Sequence, residues 1–159
     1  MESKKFVWKF TNQRKLTASE FAKYFEKKVK ETIRKYQMPI GKLSKKGLKA
    51  ESINKIIQSL PVRAGKLNDN NLNDISNTIL CIVMYGDKDK LRKFLPCNQP
   101  LYFLSDKEIL LYAKLKRIKG KIENPKGKSK QIDDFLVSLE KKNPDIRLNV
   151  VNALLKSYS

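Results

Sequence analysis

Few residues in this sequence of 159 have side chains suited to catalysis or metal binding. The chain contains no histidine, which removes the commonest general base and the commonest transition-metal ligand. Of its two cysteines, Cys81 lies in the apolar run ILCIVM and is predicted to be a core residue. Cys97 lies in a loop between two prolines and could be reactive, although no base is near it in sequence. Because two sulfurs cannot complete a zinc site, we expect no bound metal.

The carboxylates and glycines also lack a catalytic arrangement. The closely spaced acidic pairs are Asp133 with Asp134 and Asp87 with Asp89, and each lies beside lysines. We interpret both pairs as solvated or helix-capping residues rather than as an acid and a base. The six glycines are scattered singly, so no glycine-rich phosphate loop is present. The sequence therefore predicts a protein that is not an enzyme and has no cofactor and no small-molecule substrate.

The charge of the chain is its most unusual property. Thirty-five Lys and Arg residues against 16 Asp and Glu give a formal net charge of +19. Self-repulsion at this charge opposes compaction, so a polyanionic partner is expected, and nucleic acid is favoured over an anionic membrane surface. A merely solvated, lysine-rich surface of a heat-adapted protein is the alternative, but there Glu usually rises together with Lys. Only six of the 35 basic residues are arginines, whose planar guanidinium groups recognise bases through paired hydrogen bonds. We therefore expect shape-directed rather than base-specific RNA binding.

The sequence gives no indication of membrane insertion or secretion. It has no run of the roughly 18 apolar residues needed to span a bilayer. Its start, MESKKFVWKF, lacks the apolar core of a signal peptide. We therefore expect a cytoplasmic protein with no membrane partner.

The N-terminal 40 residues predict an extended arm followed by a basic helix. In KKFVWKF, alternation places Phe6, Trp8 and Phe10 on one face of a strand or arm. We expect Trp8 to fill the core, and stacking on an RNA base is the alternative. Thr17-Ala-Ser-Glu20 is a capping box that begins a helix ending before Pro39. Its apolar stripe is Phe21, Phe25, Val29, Ile33 and Tyr36, and its other face carries Lys23, Lys27, Lys28, Lys30, Arg34 and Lys35.

The remaining chain predicts further helices joined by basic segments. Residues 41–49, GKLSKKGLK, are expected to be an exposed connector, and residues 114–130 to be a mobile basic loop or a solvated linker. Asp87 is expected to cap a short helix, and Ser105 to Glu108 form a second capping box. Apolar spacing places helices near 50–60, 72–86, 87–94, 105–117, 129–141 and from 145 onward.

Together these patterns predict a mainly α, compact multi-helix domain. One or two short strands are expected, near residues 4–10 and 101–104. We divide the chain into an arm and basic helix at 1–40, the connector at 41–49, and a helical domain at 50–159 that carries the basic loop.

The RNA-binding residues are predicted from clustering of positive charge. On the first helix they are Lys27, Lys28, Lys30, Arg34 and Lys35, and in the connector they are Lys42, Lys45, Lys46 and Lys49. In the basic loop they are Lys114, Lys116, Arg117, Lys119, Lys121, Lys126, Lys128 and Lys130. Arg34, Arg92 and Arg117 are the best candidates for bidentate contacts to phosphate.

Four segments resemble a known family. They are LTASEFAKYFEKKVKETIRKYQM (16–38), NNLNDISNTILCIVMYGD (70–87), LYFLSDKEILLYAKLKRI (101–118) and QIDDFLVSLEKKNPDIRLNVVNALLKS (131–157), just over half of the chain. They are similar, in order, to segments of the archaeal and eukaryotic-type tRNA 2-thiouridine synthetases, the TtuA-like branch of the PP-loop sulfurtransferases. The resemblance implies a remnant of a Rossmann-like PP-loop fold that has lost most of its sheet.

The chain departs from that family at its chemical motifs. The family's N-terminal zinc-binding cysteines have no counterpart before Cys81, and its SGGxDS loop for ATP is replaced by the lysine-rich connector after Met38. Its HNLDDE stretch reads Asn-Asn-Leu-Asn-Asp-Ile at 70–75, and a cysteine before a proline corresponds to Asn124. The resemblance therefore implies a truncated, degenerate member that lacks the ATP-binding and cysteine motifs and cannot transfer sulfur.

Two RNA-binding functions remain open at this point. The first hypothesis is a non-catalytic protein of structured RNA, namely a lineage-specific archaeal ribosomal protein that binds rRNA beside neighbouring ribosomal proteins. The alternative is a degenerate tRNA-binding accessory protein of tRNA thiolation.

Overall fold

The computed structural model describes residues 3–159, and the fold is mainly helical, as predicted. None of the helices in this range is long and apolar enough to cross a bilayer. In chain order the elements are β1 (Phe6–Lys9), β2 (Lys15–Thr17), α1 (Ala18–Lys35), α2 (Leu48–Ile57), α3 (Leu72–Tyr85), the 3₁₀-helix Lys88–Phe94, α4 (Asp106–Leu115), α5 (Lys128–Glu140) and α6 (Ile146–Ser157).

The predicted N-terminal strand is confirmed as one half of a hairpin. β1 pairs antiparallel with β2, with Trp8 opposite Leu16 and an irregularity between Phe6 and Trp8. Trp8 is half-buried, and its ring centroid lies 5.4 Å from that of Phe21. The structure therefore favours the packing role of Trp8 over base stacking.

Three helices begin at capping boxes, in which the side chains of two residues bond each other's backbone amides. This reciprocal bonding satisfies two of the amides that the first turn leaves unpaired. The pairs are Thr17 with Glu20 at α1, Asn71 with Asp74 at α3, and Ser105 with Glu108 at α4. The helix starts are thus determined locally by the sequence.

The helices bury their apolar faces in two clusters. The first joins α1, α2 and α4 to the hairpin, around Phe21, Phe25 and Ile53. The second joins α3 to α6 and the 3₁₀-helix, around Ile75 and Val151. α5 packs against α3 and α6. The division of the chain into segments at 1–40, 41–49 and 50–159 stays a prediction.

The strand predicted at 101–104 is wrong, because these residues form a turn between the two clusters. The amide of Tyr102 donates to the Gln99 carbonyl at 3.1 Å, and that of Leu104 to Leu101 at 3.0 Å. Leu101 and Leu104 pack into the first cluster, whereas Tyr102 packs into the second. The apolar run is buried because it serves both clusters, and within residues 3–159 no strand pairs with it.

The connector at 41–49 is less exposed than predicted. Leu43 and Leu48 are buried in the first cluster. The Asn54 side chain accepts from the Leu43 amide at 2.8 Å and donates to the Leu43 carbonyl at 3.0 Å. This side chain therefore replaces a backbone partner and holds the connector against α2.

α1 and α4 are joined by stacked rings and hydrogen bonds to carboxylates. The Phe25 and Tyr112 rings stack with centroids 4.1 Å apart. The Tyr112 hydroxyl donates to Glu26 at 2.7 Å, and the Tyr24 hydroxyl donates to Glu108 at 2.7 Å. Burial, reinforced by the neighbouring carboxylates, raises the pKa of Tyr24 and of Tyr112, so both stay protonated as donors. These contacts fix the face of α1 that points away from the core.

Candidate nucleic-acid interface

Four basic residues form a continuous row on the outer side of α1. Lys23, Lys27, Lys30 and Arg34 follow one another at spacings of four, three and four residues, which places them on one helical face. All four are exposed, and we call this row the α1 stripe. Sequence analysis singled out three of its members as binding residues and left out Lys23, although the helical spacing alone would have included it.

The α1 stripe borders an open groove of about 910 Å³. We call it the α1 groove. Its floor includes the apolar residues Ile33, Ile40 and Leu60, and Arg63 lies in its lining with the stripe. The groove thus combines apolar contact area with a positively charged edge.

Arg63 is held in place by its backbone. Its amide donates to the Ile40 carbonyl at 2.9 Å and its carbonyl accepts from the Ile40 amide at 3.0 Å, which forms an isolated antiparallel bridge. Gly65 lies so close to Pro39 that an added Cβ would be 2.6 Å from the Pro39 Cβ. Sequence analysis missed Arg63, because an isolated arginine after Pro61 carries no signal without this long-range bridge.

Two acids also line the groove, but both already have partners. Glu31 lies 3.8 Å from Lys27 within the helix. Glu26 accepts the Tyr112 hydrogen bond and lies 3.6 Å from Lys116. The α1 stripe and Arg63 provide five positive charges against these two, so the groove is net positive.

A smaller cavity of about 340 Å³ adjoins the α1 groove. The two share Ile40 and Leu60, and the smaller one adds Lys42 and Lys55. The cationic surface therefore extends past the groove towards the connector.

The other predicted residues of α1 and the connector differ in their availability. Lys28 is half-buried, with its ammonium 5.5 Å from the Tyr24 ring centroid, and Lys35 is exposed near Tyr36. Lys42 and Lys46 are exposed, whereas Lys45 pairs with Asp69 at 3.4 Å.

Lys49 is placed in a structural contact rather than on the open surface. Its side chain is 13% exposed and donates to Asp74 at 2.7 Å and to Asn71 at 3.1 Å. The prediction that Lys49 lies ready to bind phosphate disagrees with this geometry, because a phosphate would have to displace both partners.

The basic loop at 114–130 is tied to the body of the protein. Ile118 and Ile122 pack against the first cluster, and the Ile118 amide donates to the Ala113 carbonyl at 2.8 Å. The prediction of a mobile basic loop or a solvated linker did not include these contacts. The loop's exposed basic residues are Lys114, Arg117, Lys119, Lys121 and Lys126, while Lys116 is half-buried.

Three predicted residues are exposed on elements that pack against α3. Lys128 lies 4.8 Å from the Tyr85 ring centroid, and Lys130 pairs with Asp134 at 3.2 Å on α5. Arg92 lies over the Tyr158 ring at 5.4 Å. These side chains are carried by the 3₁₀-helix and α5, not by the elements that form the α1 groove.

Residues 70–75, which resemble the HNLDDE motif, take part in a polar cluster that caps α3. Asn71 is fully buried and donates to Asp106 at 2.7 Å, and Asp74 accepts from Lys49. Burial raises the pKa of Asp106, although the Asn71 hydrogen bond and Lys49 oppose the rise. These side chains satisfy one another's hydrogen-bonding groups, and in this way they have a structural role.

The acidic pairs predicted to be solvated or capping are divided by the structure. Asp87 caps the 3₁₀-helix, and Asp134 is exposed, in agreement with that interpretation. Asp133 instead accepts from buried Arg147 at 2.7 Å and from Asn77 at 3.0 Å. Sequence analysis missed this network because Arg147 carries no local signal of burial.

The thiols are not arranged as a ligand set. Cys81, predicted to be in the core, is only half-buried, and Cys97 is exposed with its thiol 3.4 Å from the Asn98 side chain. No group of three His, Cys, Asp or Glu side chains that could hold a metal ion occurs between residues 3 and 159.

Comparison with known proteins relates this fold to a tRNA-modifying enzyme. No protein-family model matches the sequence, and no curated protein does. The fold is similar to that of a U34-tRNA thiolase, NcsA from Methanococcus maripaludis, solved with its 4Fe–4S cluster. The TM-score is 0.64 over 95% of this chain and 83% of that chain, at 13% sequence identity. At this sequence identity the similarity shows a shared fold.

The comparison overturns the first functional hypothesis. A lineage-specific ribosomal protein on rRNA, beside ribosomal protein partners, is wrong, because the structural neighbour is a tRNA thiolase and not a ribosomal protein.

The residues of this chain do not fit the neighbour's iron–sulfur cluster. Such clusters are held mainly by cysteine thiolates, usually four. This chain has Cys81 on α3 and Cys97 in the loop before α4, and Asn124 lies where the family resemblance expects a third cysteine. The donor set is therefore too small.

Proposed function

We propose that this protein is a non-catalytic tRNA-binding accessory protein of tRNA thiolation, descended from the tRNA 2-thiouridine synthetase branch of the PP-loop sulfurtransferases. The α1 groove is the observation that carries the proposal. It presents the α1 stripe and Arg63 on one rigid surface, and rows of exposed cations bind the phosphate backbone of nucleic acids.

tRNA is proposed as the partner because the fold is similar to that of an enzyme whose substrate is tRNA. The net charge of +19 supports a polyanion larger than the groove itself. The exposed lysines of the connector and basic loop extend the contact surface, and they supply point charges rather than base-specific hydrogen bonds.

The absence of catalysis is proposed from the chemistry of the side chains. At the HNLDDE-like stretch, the polar groups cap a helix and bond one another. The chain offers two thiols and no imidazole for sulfur transfer. A thiolation assay with this chain alone, tRNA, ATP and a sulfide source should give no thiolated tRNA, and product that disappears in C81S/C97S would refute this part of the proposal.

Binding is tested by fluorescence anisotropy with labelled tRNA and with an rRNA fragment of similar length. The double variant Lys27→Glu/Lys30→Glu reverses two charges of the α1 stripe and is expected to weaken tRNA binding by roughly tenfold or more. The matched control is Lys141→Glu/Lys142→Glu, which makes the same charge change on exposed residues after α5.

The control variant should lose much less affinity than the stripe variant. Equal losses in both would mean that only net charge matters and that the α1 groove is not the site. Absence of tRNA binding by the wild-type protein at low salt, or tighter binding to the rRNA fragment, would refute the proposed function.

A further inference from the structure

The α1 groove has a floor that phosphate binding does not require. Leu60 is half-buried and contributes most of the apolar surface beneath its charged edge, and Ile33 and Ile40, 3% and 8% exposed, add a little more. The backbone of a duplex would contact only the cations at the edge, and A-form RNA keeps its bases stacked inside the helix. The apolar floor therefore calls for a ligand with a flat apolar part as well as negative charge.

The groove is also large enough for such a ligand. Its volume of about 910 Å³ lies within the range of about 300–1,000 Å³ typical of pockets that enclose small molecules. Unstacked nucleotides combine an apolar base face with a phosphate on the same scale, and proteins recognise single-stranded RNA through splayed bases.

We infer that the α1 groove binds a single-stranded segment of the RNA, with bases on the Ile40 and Leu60 floor and phosphates between Arg34 and Arg63. This inference rests on the proposed function and specifies which part of the RNA occupies that site. Arginine is suited to this role because its planar guanidinium forms paired hydrogen bonds to phosphate.

The site is organised before binding, because Arg63 is attached to Ile40 by two backbone hydrogen bonds. Ile40 itself belongs to the floor, so one wall residue and the floor are fixed relative to each other. A preformed site loses less conformational entropy when it binds.

An acidic amphipathic peptide would match the same floor and edge. RNA is favoured because the exposed cations continue beyond the groove, to Lys42 beside the smaller cavity and to the loop after α4. A long polyanion uses this extended surface, whereas a short peptide in the groove does not.

The test compares a ten-nucleotide single-stranded RNA with a ten-base-pair RNA duplex, by fluorescence anisotropy with the full chain. Leu60→Ser removes apolar floor, and Arg63→Ala removes a phosphate contact. Each is expected to weaken single-strand binding by roughly fivefold or more, in keeping with the contribution of one bound base or charge-assisted contact. Duplex binding should change by less than about twofold in Leu60→Ser, and in Arg63→Ala it should fall by less than single-strand binding does.

Val62→Ser and Lys141→Ala are the matched controls. Val62 is 87% exposed in the same segment as Leu60 and does not line the α1 groove. Lys141 is an exposed lysine after α5 and does not line the groove either. Both variants should bind the single strand within about twofold of wild type. Because Arg63 is exposed, its alanine variant retains the core and keeps the test valid if Leu60→Ser fails to fold.

Three outcomes would overturn the inference. The first is single-strand affinity in Arg63→Ala equal to that of the controls. The second is an equal loss of duplex affinity and single-strand affinity in that variant. The third concerns the wild-type protein: a Glu- and Leu-rich peptide competes with the duplex for binding but does not compete with the single strand. In each case tRNA binding by the wild type would leave the proposed function standing, whereas no tRNA binding at all would refute the proposed function itself.

Discussion

The basic residues of this protein have very different environments although their charges are the same. Lys30 is exposed on the α1 stripe, Lys49 is paired in a nearly buried contact, and Lys128 lies over the Tyr85 ring. Only the first kind keeps its full charge available to phosphate, since the others must leave their partners. The number of lysines therefore overstates the number that bind RNA.

Arg147 is the most deeply buried example. Its side chain is 4% exposed and bonds Asp133, Glu140, Ser76 and the Asn77 side chain. A buried guanidinium is tolerated because its donors are all directed at acceptors, and two of those are carboxylates. This arginine ties α3, α5 and α6 together and does not face an RNA ligand.

We therefore predict that Arg147→Ala is a stability variant. Removing one partner of a buried ion pair costs about 3–5 kcal/mol, and partial exposure of the two carboxylates reduces the expected loss to about 2–3 kcal/mol. The free energy of unfolding is measured by urea denaturation followed by circular dichroism. The control is Arg117→Ala on the exposed loop, which should cost less than about 0.5 kcal/mol. Equal stability of the two variants would contradict the structural role of Arg147.

At the scale of elements, local sequence determines where helices begin, whereas contacts between distant residues position the segment that carries Arg63. Two helix starts follow from capping boxes that are legible in sequence, at Thr17 and Ser105, and the structure shows a third capping box at Asn71. The segment that carries Arg63 is different, because its position depends on the Ile40 bridge and on the contact of Gly65 with Pro39. The wall of the α1 groove is thus formed by contacts between residues far apart in the chain.

Gly65 provides a prediction about this wall. It has a φ of +132°, and a Cβ there would collide with Pro39, whereas Gly47 has a φ of +146° and open space around it. Both alanine variants are strained in the backbone, but Gly65→Ala also overpacks and is expected to cost about 1–3 kcal/mol more. Urea denaturation measures the difference, and single-strand RNA affinity should fall only in Gly65→Ala. If Gly47→Ala were the less stable variant, the close approach of Gly65 to Pro39 would be contradicted.

At the scale of the whole molecule, the net charge destabilises the folded protein and strengthens its binding to polyanions. A net charge of +19 repels itself in the compact state, and attracts polyanions in solution. Dissolved salt screens both effects, because the Debye length shortens from about 30 Å at 0.01 M to about 8 Å at physiological ionic strength.

We predict that raising NaCl from about 20 to about 300 mM increases the free energy of unfolding while it weakens tRNA binding steeply. Affinity should fall linearly with salt on a log–log plot, with a slope of about 0.7–0.9 per neutralised phosphate. Urea denaturation and anisotropy titrations at each salt concentration provide the two measurements. A protein whose stability falls with salt would indicate that the ion pairs, rather than self-repulsion, dominate its electrostatics.

The sequence by itself determined the helical class, the capped helix starts, the apolar faces of the helices and the excess of positive charge, because each depends on neighbouring residues or on composition. It also indicated a resemblance to tRNA thiolation enzymes, and the fold is similar to that of one such enzyme. Tertiary structure decided the rest. It made residues 101–104 a turn, because they pack into two clusters, it buried Lys49 and Arg147 against carboxylates, and it brought Arg63 into a groove with the α1 stripe. These outcomes rest on tertiary packing, including contacts as distant in sequence as Lys49 with Asp74 and Ile40 with Arg63, which no local pattern encodes.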